Sequence, residues 1–396
     1  MEAPERIEPD LEVVRELKEL TGGAFKRCGQ CATCTVVCDL SAPDGDYPRG
    51  KMLWAQWGLK DRLLRSLEPW LCYYCGKCSQ RCPRKAEPGE TLMGLRRWLT
   101  SRYDVTGLSR LLYRSWKAEL LVLLLVALAT ALGLLGWGYA HGNIHHYDGA
   151  LAFLPSAVIH RFDWAMAGVL TLFLGINAAR MWWFTMAKGE PHPAPLASYL
   201  RQLPLLPLHF LTQKRFSACD SRRPWAIHLV LMLSYVSLFT LIMFFLHDMQ
   251  SGPAINWKVH AIGYAASAGL LGTVIFAIRG RLAKVEEQYK HSHESDWLFL
   301  ALLALVTLTG VTQHALHRTG HPLEANVAYV VHLSLVVPML LLEVPFGKWS
   351  HMIYRPLAVY LDSVRRDALA HEKVTETSPE AAAGTAAGRA AHESHA

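Results

Sequence analysis

The chain consists of a polar N-terminal segment followed by a long, strongly apolar region. Residues 1–27 are acidic and amphipathic, which predicts a helix ending near Gly22 and Gly23 and shows none of the apolar core of a signal peptide. Six apolar stretches follow, each close to the ~20 residues that a helix needs to span a bilayer. They cover residues 120–139, 163–186, 225–247, 258–279, 297–316 and 324–346. The pattern therefore predicts a mainly α-helical membrane protein.

The same pattern divides the chain into three parts. Residues 1–112 contain short amphipathic segments and are expected to form an α-helical domain outside the membrane. Residues 113–360 hold the apolar stretches and are expected to form a bundle of six transmembrane helices. Residues 361–396 end in Ala, Glu, His, Ser and Gly without periodicity, so we expect a disordered tail.

Composition and charge agree with a membrane protein. Hydrophobic residues make up 52% of the chain and charged residues only 18%. The formal net charge of +7 does not indicate nucleic-acid binding, because no basic stripe with interleaved aromatic residues is present. Lys and Arg instead concentrate in the loops after the second and fourth apolar stretches. The positive-inside rule then places these loops, the N-terminal domain and the C-terminus in the cytoplasm, with the helices in the cytoplasmic membrane.

Eight of the nine cysteines lie in two runs with one spacing, C-x2-C-x2-C-x3-C. The first run is Cys28, Cys31, Cys34 and Cys38, and the second is Cys72, Cys75, Cys78 and Cys82. This is the bacterial ferredoxin spacing for two [4Fe–4S] clusters. Structural zinc uses four ligands, usually in two pairs, and leaves the triple cysteine pattern unexplained. Disulfides suit small secreted domains, which this chain does not resemble.

In the ferredoxin arrangement, the fourth cysteine of each run serves the cluster of the other run. One cluster is then assigned to Cys28, Cys31, Cys34 and Cys82, and the other to Cys72, Cys75, Cys78 and Cys38. Asp39 stands where a proline usually follows the first run, which changes the loop but removes no ligand. The ninth cysteine, Cys219, has no second cysteine nearby and is expected to be a free thiol.

Histidines in the predicted spans are candidates for binding a second redox cofactor, because a polar ring within a bilayer is costly and usually functional. They are His228, His247, His260, His314 and His332, with His351 just after the last span. Two neutral imidazoles can fill both axial positions of a b haem. His228 opens the third span and His351 closes the sixth at the same face, so we expect them to bind one haem near the cytoplasm.

A second haem is expected toward the outer face. His332 precedes His351 by 19 residues, which corresponds to about 28 Å along a helix. The candidates for the second ligand of this haem are His247, His260 and His314. His247 lies at a matching depth, but its distance along the helix from His228 also rotates it by about 100° beyond whole turns. Pro338 in the last span could kink that helix and relieve the divergence.

Lys258 and His260 lie together at the outer start of the fourth span. A cation and an imidazole beside an outer haem can hold a quinone oxygen and exchange its proton, so we interpret both as quinone-binding residues. The alternative for Lys258 is an interfacial lysine whose ammonium group reaches the lipid headgroups.

Two family resemblances bring these motifs together. Residues 70–84, around the second cysteine run, and the preceding helix at 53–59 resemble the C subunit of heterodisulfide reductase. Residues 163–355 resemble the gamma subunit of respiratory nitrate reductase, a di-haem cytochrome b. This likeness is carried by His228 after Arg-Pro-Trp, by Lys258, by Asp296-Trp-Leu, and by the stretch from His332 to His351. A chain that joins both modules is similar to the C subunits of quinone-interacting membrane-bound oxidoreductase (Qmo) complexes.

The nitrate reductase resemblance implies that His228, His332 and His351 bind haem and that Lys258 belongs to a quinol site. That family has a further histidine in the third span, and Leu238 stands at its position here. The outer haem therefore needs another ligand, has only one from the protein, or is absent.

The predicted function is electron transfer between menaquinol or menaquinone in the membrane and cytoplasmic partners, through two b haems and two [4Fe–4S] clusters. The chain has no flavin-binding G-x-G-x-x-G signature and does not complete substrate chemistry alone. The resemblance implies flavin and iron–sulfur partners like Qmo A and B, and a link to adenylylsulfate reductase in sulfate reduction. One alternative is that the same electron-transfer route serves a heterodisulfide-reductase-like complex. The other is a membrane anchor without quinone chemistry.

Overall fold

The computed structural model describes residues 7–42, 45–147, 151–188, 193–218, 221–250 and 256–376. Within these ranges the chain forms helices and no β-strand, apart from an isolated bridge between Asn143 and Ala152. The prediction of a mainly α-helical protein is confirmed. Cys219, expected to be a free thiol, lies outside the described residues.

The described part of the N-terminal domain is built from short and medium helices. They are α1 Leu11–Thr21, α2 Thr33–Val36, α3 Arg49–Trp57, α4 Lys60–Leu64, α5 Glu68–Leu71, α6 Lys77–Gln80, α7 Pro88–Tyr103 and α8 Leu108–Arg114, with a 3-10 turn at Ala24–Arg27. Asp10 begins α1 by accepting hydrogen bonds from the backbone N–H groups of Glu12 and Val13 at 2.9 and 3.3 Å. Gly22 ends it at a left-handed φ of 68°, as the sequence predicts.

Longer helices form the rest of the described chain. They are α9 Trp116–His141, α10 Ser156–Trp182, α11 Leu196–Gln202, α12 Leu205–Thr212, α13 Arg223–Gln250, α14 Trp257–Ala283, α15 Glu287–Lys290, α16 Glu294–Arg318, α17 Pro322–Pro338 and α18 His351–Glu376. π-helical turns at Trp183–Ala187 and Met339–Glu343 extend α10 and α17, and 3-10 turns lie at Phe216–Ala218 and Lys348–Ser350.

Six helices in the described residues are long and apolar enough to cross a membrane, which confirms the predicted number. They are α9, α10, α13, α14, α16 and α17, with the π turns of α10 and α17 included. The first five contain their predicted apolar stretches completely and continue beyond them, because residues at the membrane surface extend the helices.

The sixth membrane helix ends earlier than predicted. Pro338 has no backbone N–H and cannot complete the α-helical hydrogen-bond pattern, and the chain widens into the π turn that ends at Glu343. His351 therefore starts α18 instead of closing the sixth span. The continuous helical rise of about 28 Å expected between His332 and His351 is wrong, because the helix breaks between them.

Helix α18 also corrects the expected boundary of the C-terminal tail. It runs to Glu376, so residues 361–376 are helical rather than disordered. Leu361 and Val364 are fully buried in the hydrophobic core of the N-terminal domain, and this burial stabilises the helix. Residues 377–396 lie outside the described ranges.

One hydrophobic core joins the N-terminal domain to the membrane helices. Trp70 and Tyr103 are fully buried, and the ring centre of Tyr354 on α18 lies 4.8 Å from that of Trp70 and 5.3 Å from that of Tyr103. Arg180 of α10 donates a hydrogen bond to the backbone oxygen of Tyr103 at 2.7 Å. The two parts of the chain are therefore packed against each other through α10 and α18.

The basic segment between α10 and α13 also packs on α18. The hydroxyl of Tyr360 donates to the backbone oxygen of Tyr199 at 2.9 Å. Arg215 forms an ion pair with Asp362 at 3.3 Å. These contacts hold the short segment from Gln213 to Ala218 beside the start of α13.

Candidate redox sites

The first group of cysteines converges on one cavity of the N-terminal domain. Its thiol-bearing residues are Cys28, Cys31, Cys34 and Cys82. The thiol of Cys34 interacts electrostatically with those of Cys28 and Cys82. Gln30 and Ala32 adopt left-handed φ values of 57° and 65°, so the backbone turns sharply between the cysteines.

The second group lines an adjoining cavity. Its members are Cys72, Cys75, Cys78 and Cys38. Tyr74 and Gly76 occupy the equivalent positions in the second run. They are also left-handed, with φ values of 56° and 81°. Cys78 interacts with Cys34 as well as with its own group, so the two cavities are neighbours. The structure thus brings together the two sets of four thiols that the crossed pattern predicts.

The surroundings of these thiols fit iron–sulfur clusters, which bind thiolates. Burial raises the pKa of Cys38 to about 11, and burial also raises the pKa of Cys78, with neighbouring thiols adding to both effects. Such thiols release their protons when a metal binds and stabilises the thiolate. The backbone N–H groups of Tyr74 and Ala86 lie 3.3 Å from the sulfur atoms of Cys72 and Cys82. Hydrogen bonds of this kind tune cluster potentials.

His228 of α13 and His351 of α18 face each other across a different cavity, with ring centres 6.2 Å apart. Nδ1 of His228 donates to Oε1 of Gln213 at 2.8 Å. Nδ1 of His351 donates to the backbone oxygen of Lys348 at 2.5 Å. Both acceptors are oxygens without a proton to give, so each Nε2 carries the free lone pair.

This spacing fits two histidines that would hold one haem between them. An imidazole nitrogen lies about 2 Å from a bound transition metal and its ring centre roughly 1 Å further back, so opposed imidazoles have ring centres about 6 Å apart. A hydrogen bond from the second ring nitrogen to an oxygen is the usual support of a ligating histidine. Burial lowers the pKa of His351 to about 3, so the ring is neutral and can bind iron.

The walls of this cavity combine apolar and charged side chains, with more cations than the single carboxylate of Asp296. Tyr235, Phe299 and Trp349 form an aromatic wall, with ring centres of Tyr235 and Trp349 4.3 Å apart. Arg281 and Arg355 also line it. An apolar slot with cations in its lining suits a haem, whose macrocycle is apolar and whose propionates are anionic.

Tyr73 lines both this histidine cavity and the cavity of Cys72, Cys75, Cys78 and Cys38. Its ring stacks on Phe216, with centres 4.6 Å apart and planes inclined by 2°. The ring centre of Phe216 in turn lies 6.1 Å from that of His228. The guanidinium of Arg355 lies 4.2 Å from the Tyr73 ring centre. A continuous run of aromatic rings therefore connects the cysteine site to the histidine pair.

A third cavity lies among the membrane helices α10, α13, α14, α16 and α17. The candidates for binding a cofactor or a quinone are four ionisable residues that line it, His260, His314, His332 and Asp163. The ring centres of His260 and His314 lie 4.8 Å apart, which is too close for opposed ligands of one haem. Both ring nitrogens of His260, Nε2 of His314 and Oδ2 of Asp163 are buried without a hydrogen-bond partner among the described residues. These atoms are available to a polar ligand.

His332 is held in this cavity by α16. Its Nδ1 pairs with Oγ1 of Thr309 at 3.0 Å. A Cβ atom on Gly310 would lie 2.9 Å from Cε1 of His332, so glycine is needed for this close approach. In the described part of the chain, no other histidine ring packs against His332. The structure therefore does not bring together a second pair of histidines like His228 and His351.

Two predicted site residues lie away from this cavity. His247 is exposed, because its rotation along α13 and the non-helical backbone of Phe245 direct it away from the bundle interior. Its assignment as a haem ligand is not retained. Lys258 is also exposed and does not line the cavity, although His260 on the same helix does. The position of Lys258 agrees with the alternative of an interfacial lysine.

Several residues of these sites cannot be identified from the sequence alone. Tyr73 lies in the cysteine motif, but its contact with Phe216 depends on how two distant segments pack. Gln213 and Asp163 carry no motif of their own. The one available signal for Asp163 is a carboxylate inside an apolar stretch, which is rare and usually functional.

Comparisons with known proteins identify the N-terminal domain. A family model for the 4Fe-4S dicluster domain matches residues 27–87. The chain is 33% identical over 108 residues to a protein of Archaeoglobus profundus that is named as similar to the C subunit of heterodisulfide reductase, covering 26% of this chain and 57% of the relative. It is 35% identical over 88 residues to the iron-sulfur C subunit of the CoB--CoM heterodisulfide reductase of Methanopyrus kandleri, covering 20% of this chain and 45% of the relative.

A third relative is the C subunit of the H(2):CoB-CoM heterodisulfide,ferredoxin reductase of Methanothermobacter marburgensis, 33% identical over 78 residues, which are 20% of this chain and 42% of the relative. The chain spans about half the length of the curated relatives that it matches. No solved structure matches the chain.

Together, the fold, the thiol groups and the comparisons define the class of protein. The chain is a membrane protein with an iron–sulfur electron-transfer domain. That domain is similar to the C subunits of heterodisulfide reductases, which are multi-subunit oxidoreductases.

Proposed function

We propose that the protein carries electrons between a quinone in the membrane and redox partners at its N-terminal domain. The observation that carries this proposal is the position of Tyr73, which lines both the second cysteine cavity and the cavity of His228 and His351. A cofactor site in the membrane part therefore adjoins one in the iron–sulfur domain. A simple membrane anchor has no need of such an arrangement.

In this proposal, Cys28, Cys31, Cys34 and Cys82 bind one [4Fe–4S] cluster, and Cys72, Cys75, Cys78 and Cys38 bind the other. His228 and His351 hold a b haem, with Gln213 and the Lys348 carbonyl fixing their tautomers. When bound, the haem and clusters supply one-electron carriers. Arg281 and Arg355 stabilise anionic groups at the cavity, and the aromatic wall excludes water from it.

The third cavity is the proposed quinone site. A quinone has two carbonyl oxygens that accept hydrogen bonds and take up protons on reduction. His260 and His314 offer ring nitrogens, and Asp163 offers a carboxylate, all facing one mainly apolar space. His332 is oriented there by Thr309 and stays a candidate single ligand for an outer haem. We take menaquinone as the quinone from the resemblance to Qmo complexes.

The first cysteine group is the proposed contact with partner proteins. Cys31 is exposed, and so are the cations Lys26, Arg27, Arg84 and Lys85 beside Cys28 and Cys82. A positively charged rim around an exposed redox site favours a negatively charged redox partner. Flavin and iron–sulfur subunits like Qmo A and B fit this role, with adenylylsulfate reductase as the downstream enzyme.

We place the N-terminal domain on the cytoplasmic side. The basic loop that carries α15 packs on the cysteine loop, since a Cβ atom on Gly76 would lie 2.5 Å from Cβ of Glu287. His291 of the same loop lies 3.4 Å from Glu87. The loops rich in Lys and Arg thus lie at the same end of the bundle as the N-terminal domain, as the positive-inside rule requires for a cytoplasmic location.

A second candidate is electron delivery to a heterodisulfide-reductase-like complex. It is favoured by the names of the relatives, which are subunits of heterodisulfide reductases. Both candidates use the same sites in this chain and differ in the partner.

The proposal is tested by counting cofactors in the purified, detergent-solubilised protein. We expect b haem together with iron and acid-labile sulfide sufficient for two [4Fe–4S] clusters. A second haem would support His332 as one of its ligands. A preparation with clusters and no haem would contradict the proposal and favour a membrane anchor.

A further inference from the structure

Two buried carboxyl groups lie where the membrane helices meet the N-terminal domain, and the proposed electron route does not use them. Glu119 is in the first turn of α9, and Glu343 is the last residue of the π turn after α17. Each is only 1% exposed. Their carboxyl groups lie within hydrogen-bonding reach of each other.

The packing around the pair leaves part of it without hydrogen bonds. Oε2 of Glu343 accepts a hydrogen bond from the backbone N–H of Lys348 at 3.1 Å. Oε2 of Glu119 and Oε1 of Glu343 have no partner among the described residues. A Cβ atom on Gly347 would lie 2.2 Å from Oε2 of Glu343, so the chain is shaped to admit this side chain.

The charged and polar groups around the pair come from five other elements. The ammonium of Lys348 forms an ion pair with Asp296 of α16, and Arg281 of α14 lies 3.5 Å from the same carboxylate. Ser295 and Asp296 face Glu119, and Tyr113 of α8 faces both glutamates. Arg97 of α7 acts on Asp296 and Tyr113. The cation nearest Glu343 is therefore already paired with another carboxylate.

Two neighbouring carboxylates that are buried and not individually paired with cations tend to share a proton, because like charges repel strongly in a medium of low polarity. A surface cleft between the N-terminal domain and the membrane helices reaches Tyr113, which faces both glutamates. The cleft is lined by Arg97, Tyr113, Ser115 and Lys117, among others. Tyr113 also lies within hydrogen-bonding reach of Ser350, so it connects the cleft to the neighbourhood of the pair.

The pair is also linked to the proposed haem site through one residue. The backbone N–H of Lys348 donates to Glu343, and the backbone oxygen of Lys348 accepts from Nδ1 of His351. A change of one charge at the His228–His351 site therefore acts on the glutamate pair across a short, buried path. Burial keeps this interaction from being screened by solvent and salt.

We propose that Glu119 and Glu343 form a proton-binding site that takes up one proton from water when one electron arrives at the His228–His351 site. The electron comes from quinol or from a reduced partner, and the proton comes from the cleft, so the buried region gains no net charge. The proton is released again when the electron leaves. This inference rests on the proposed function, because it requires a redox cofactor at the histidine pair.

The first test addresses the proton site without reference to haem. The infrared spectrum of the whole chain is recorded in H2O and D2O for the wild type, the Glu119→Gln/Glu343→Gln double variant and the control Glu324→Gln. Glu324 is exposed in the first turn of α17, away from the cleft and the pair. We expect a deuterium-sensitive band of a protonated carboxyl group in the wild type and the control, and its loss in the double variant. An unchanged band in the double variant overturns the proposal.

The second test addresses the coupling. The midpoint potential of the haem is measured against pH in the same three proteins. In the wild type and the control, we expect the potential to fall as pH rises, by up to about 59 mV for each tenfold change in proton concentration, the one-electron equivalent of that change. The double variant should lose most of this slope. A pH-independent wild-type potential overturns the coupling even if the double variant does not assemble. Absence of haem contradicts the proposed function instead, and the infrared band then still decides on the proton site.

Discussion

The side-chain oxygen of Gln213 accepts a hydrogen bond from Nδ1 of His228 at 2.8 Å, although the two residues belong to different structural elements. Gln213 follows α12 at a left-handed φ of 51°. It is placed there by the packing of the preceding segment on α18. This hydrogen bond leaves Nε2 of His228 free to bind a metal, and Gln213, between α12 and α13, becomes part of the proposed haem site.

Replacing Gln213 tests this relationship. Gln213→Leu should lower haem affinity by roughly 10–100-fold, the usual effect of removing the hydrogen bond behind a metal-ligating histidine. Gln213→Glu is the matched variant, because its carboxylate keeps an acceptor at the same place. It should retain haem and lower its midpoint potential. Optical titration of the purified variants measures both effects, and equal haem binding in Gln213→Leu and the wild type would argue against the assignment.

The Tyr73–Phe216 stack should matter for electron transfer and for local stability. Tyr73→Leu removes an aromatic pair of about 0.5–1.5 kcal/mol and should slow reduction of the clusters by quinol while leaving the haem reduced quickly. Tyr73→Phe keeps the ring and should behave like the wild type. Stopped-flow spectroscopy follows the haem and cluster signals separately. Equal cluster reduction rates in Tyr73→Leu and Tyr73→Phe would exclude this route.

Cys78 tests whether the iron–sulfur domain and the haem site fold independently. Cys78→Ser should disturb the second cluster and reduce iron content by up to about half, while the haem spectrum stays unchanged. Iron, sulfide and haem are measured on the same sample. Loss of haem in this variant would mean that the shared core around Trp70 and Tyr354 makes the two parts one folding unit.

His293 gives a prediction for the pH dependence of stability. Its Nδ1 accepts the backbone N–H of Ser295 at 3.3 Å and so caps α16. Burial, with help from Arg97, lowers its pKa from 6.5 to about 4. Because the folded-state pKa is depressed, the unfolded state gains the proton first as pH falls. The contribution of neutral His293 to the stability of the folded protein is therefore present above pH 6.5 and is lost toward pH 4.

The expected loss between these pH values is about 1–3 kcal/mol after allowance for the partial exposure of His293. His293→Asn keeps a capping side chain that does not titrate. Its melting temperature in detergent should therefore fall less between pH 7 and pH 5 than that of the wild type. The same decrease in both proteins would refute a role for His293.

The sequence is sufficient to predict the helical fold, the membrane spans and the cysteine groups, because these depend on local pattern and spacing. The pairing of His228 with His351 was also predictable, since both lie at the same membrane face. The exposure of His247 was not predictable, because it depends on the backbone of α13 near Phe245. Residues 361–376 were expected to be disordered from composition, whereas contacts of Leu361 and Val364 with the N-terminal core make them helical.

The central claim is that electrons pass from the membrane through the His228–His351 site to the clusters. The most direct measurement is reduction of the clusters by a soluble menaquinol analogue in the purified wild type and in His351→Ala. We predict that the wild-type clusters are reduced, and that His351→Ala keeps its clusters but loses the haem and this reduction. Cluster reduction at the wild-type rate in His351→Ala would contradict the account.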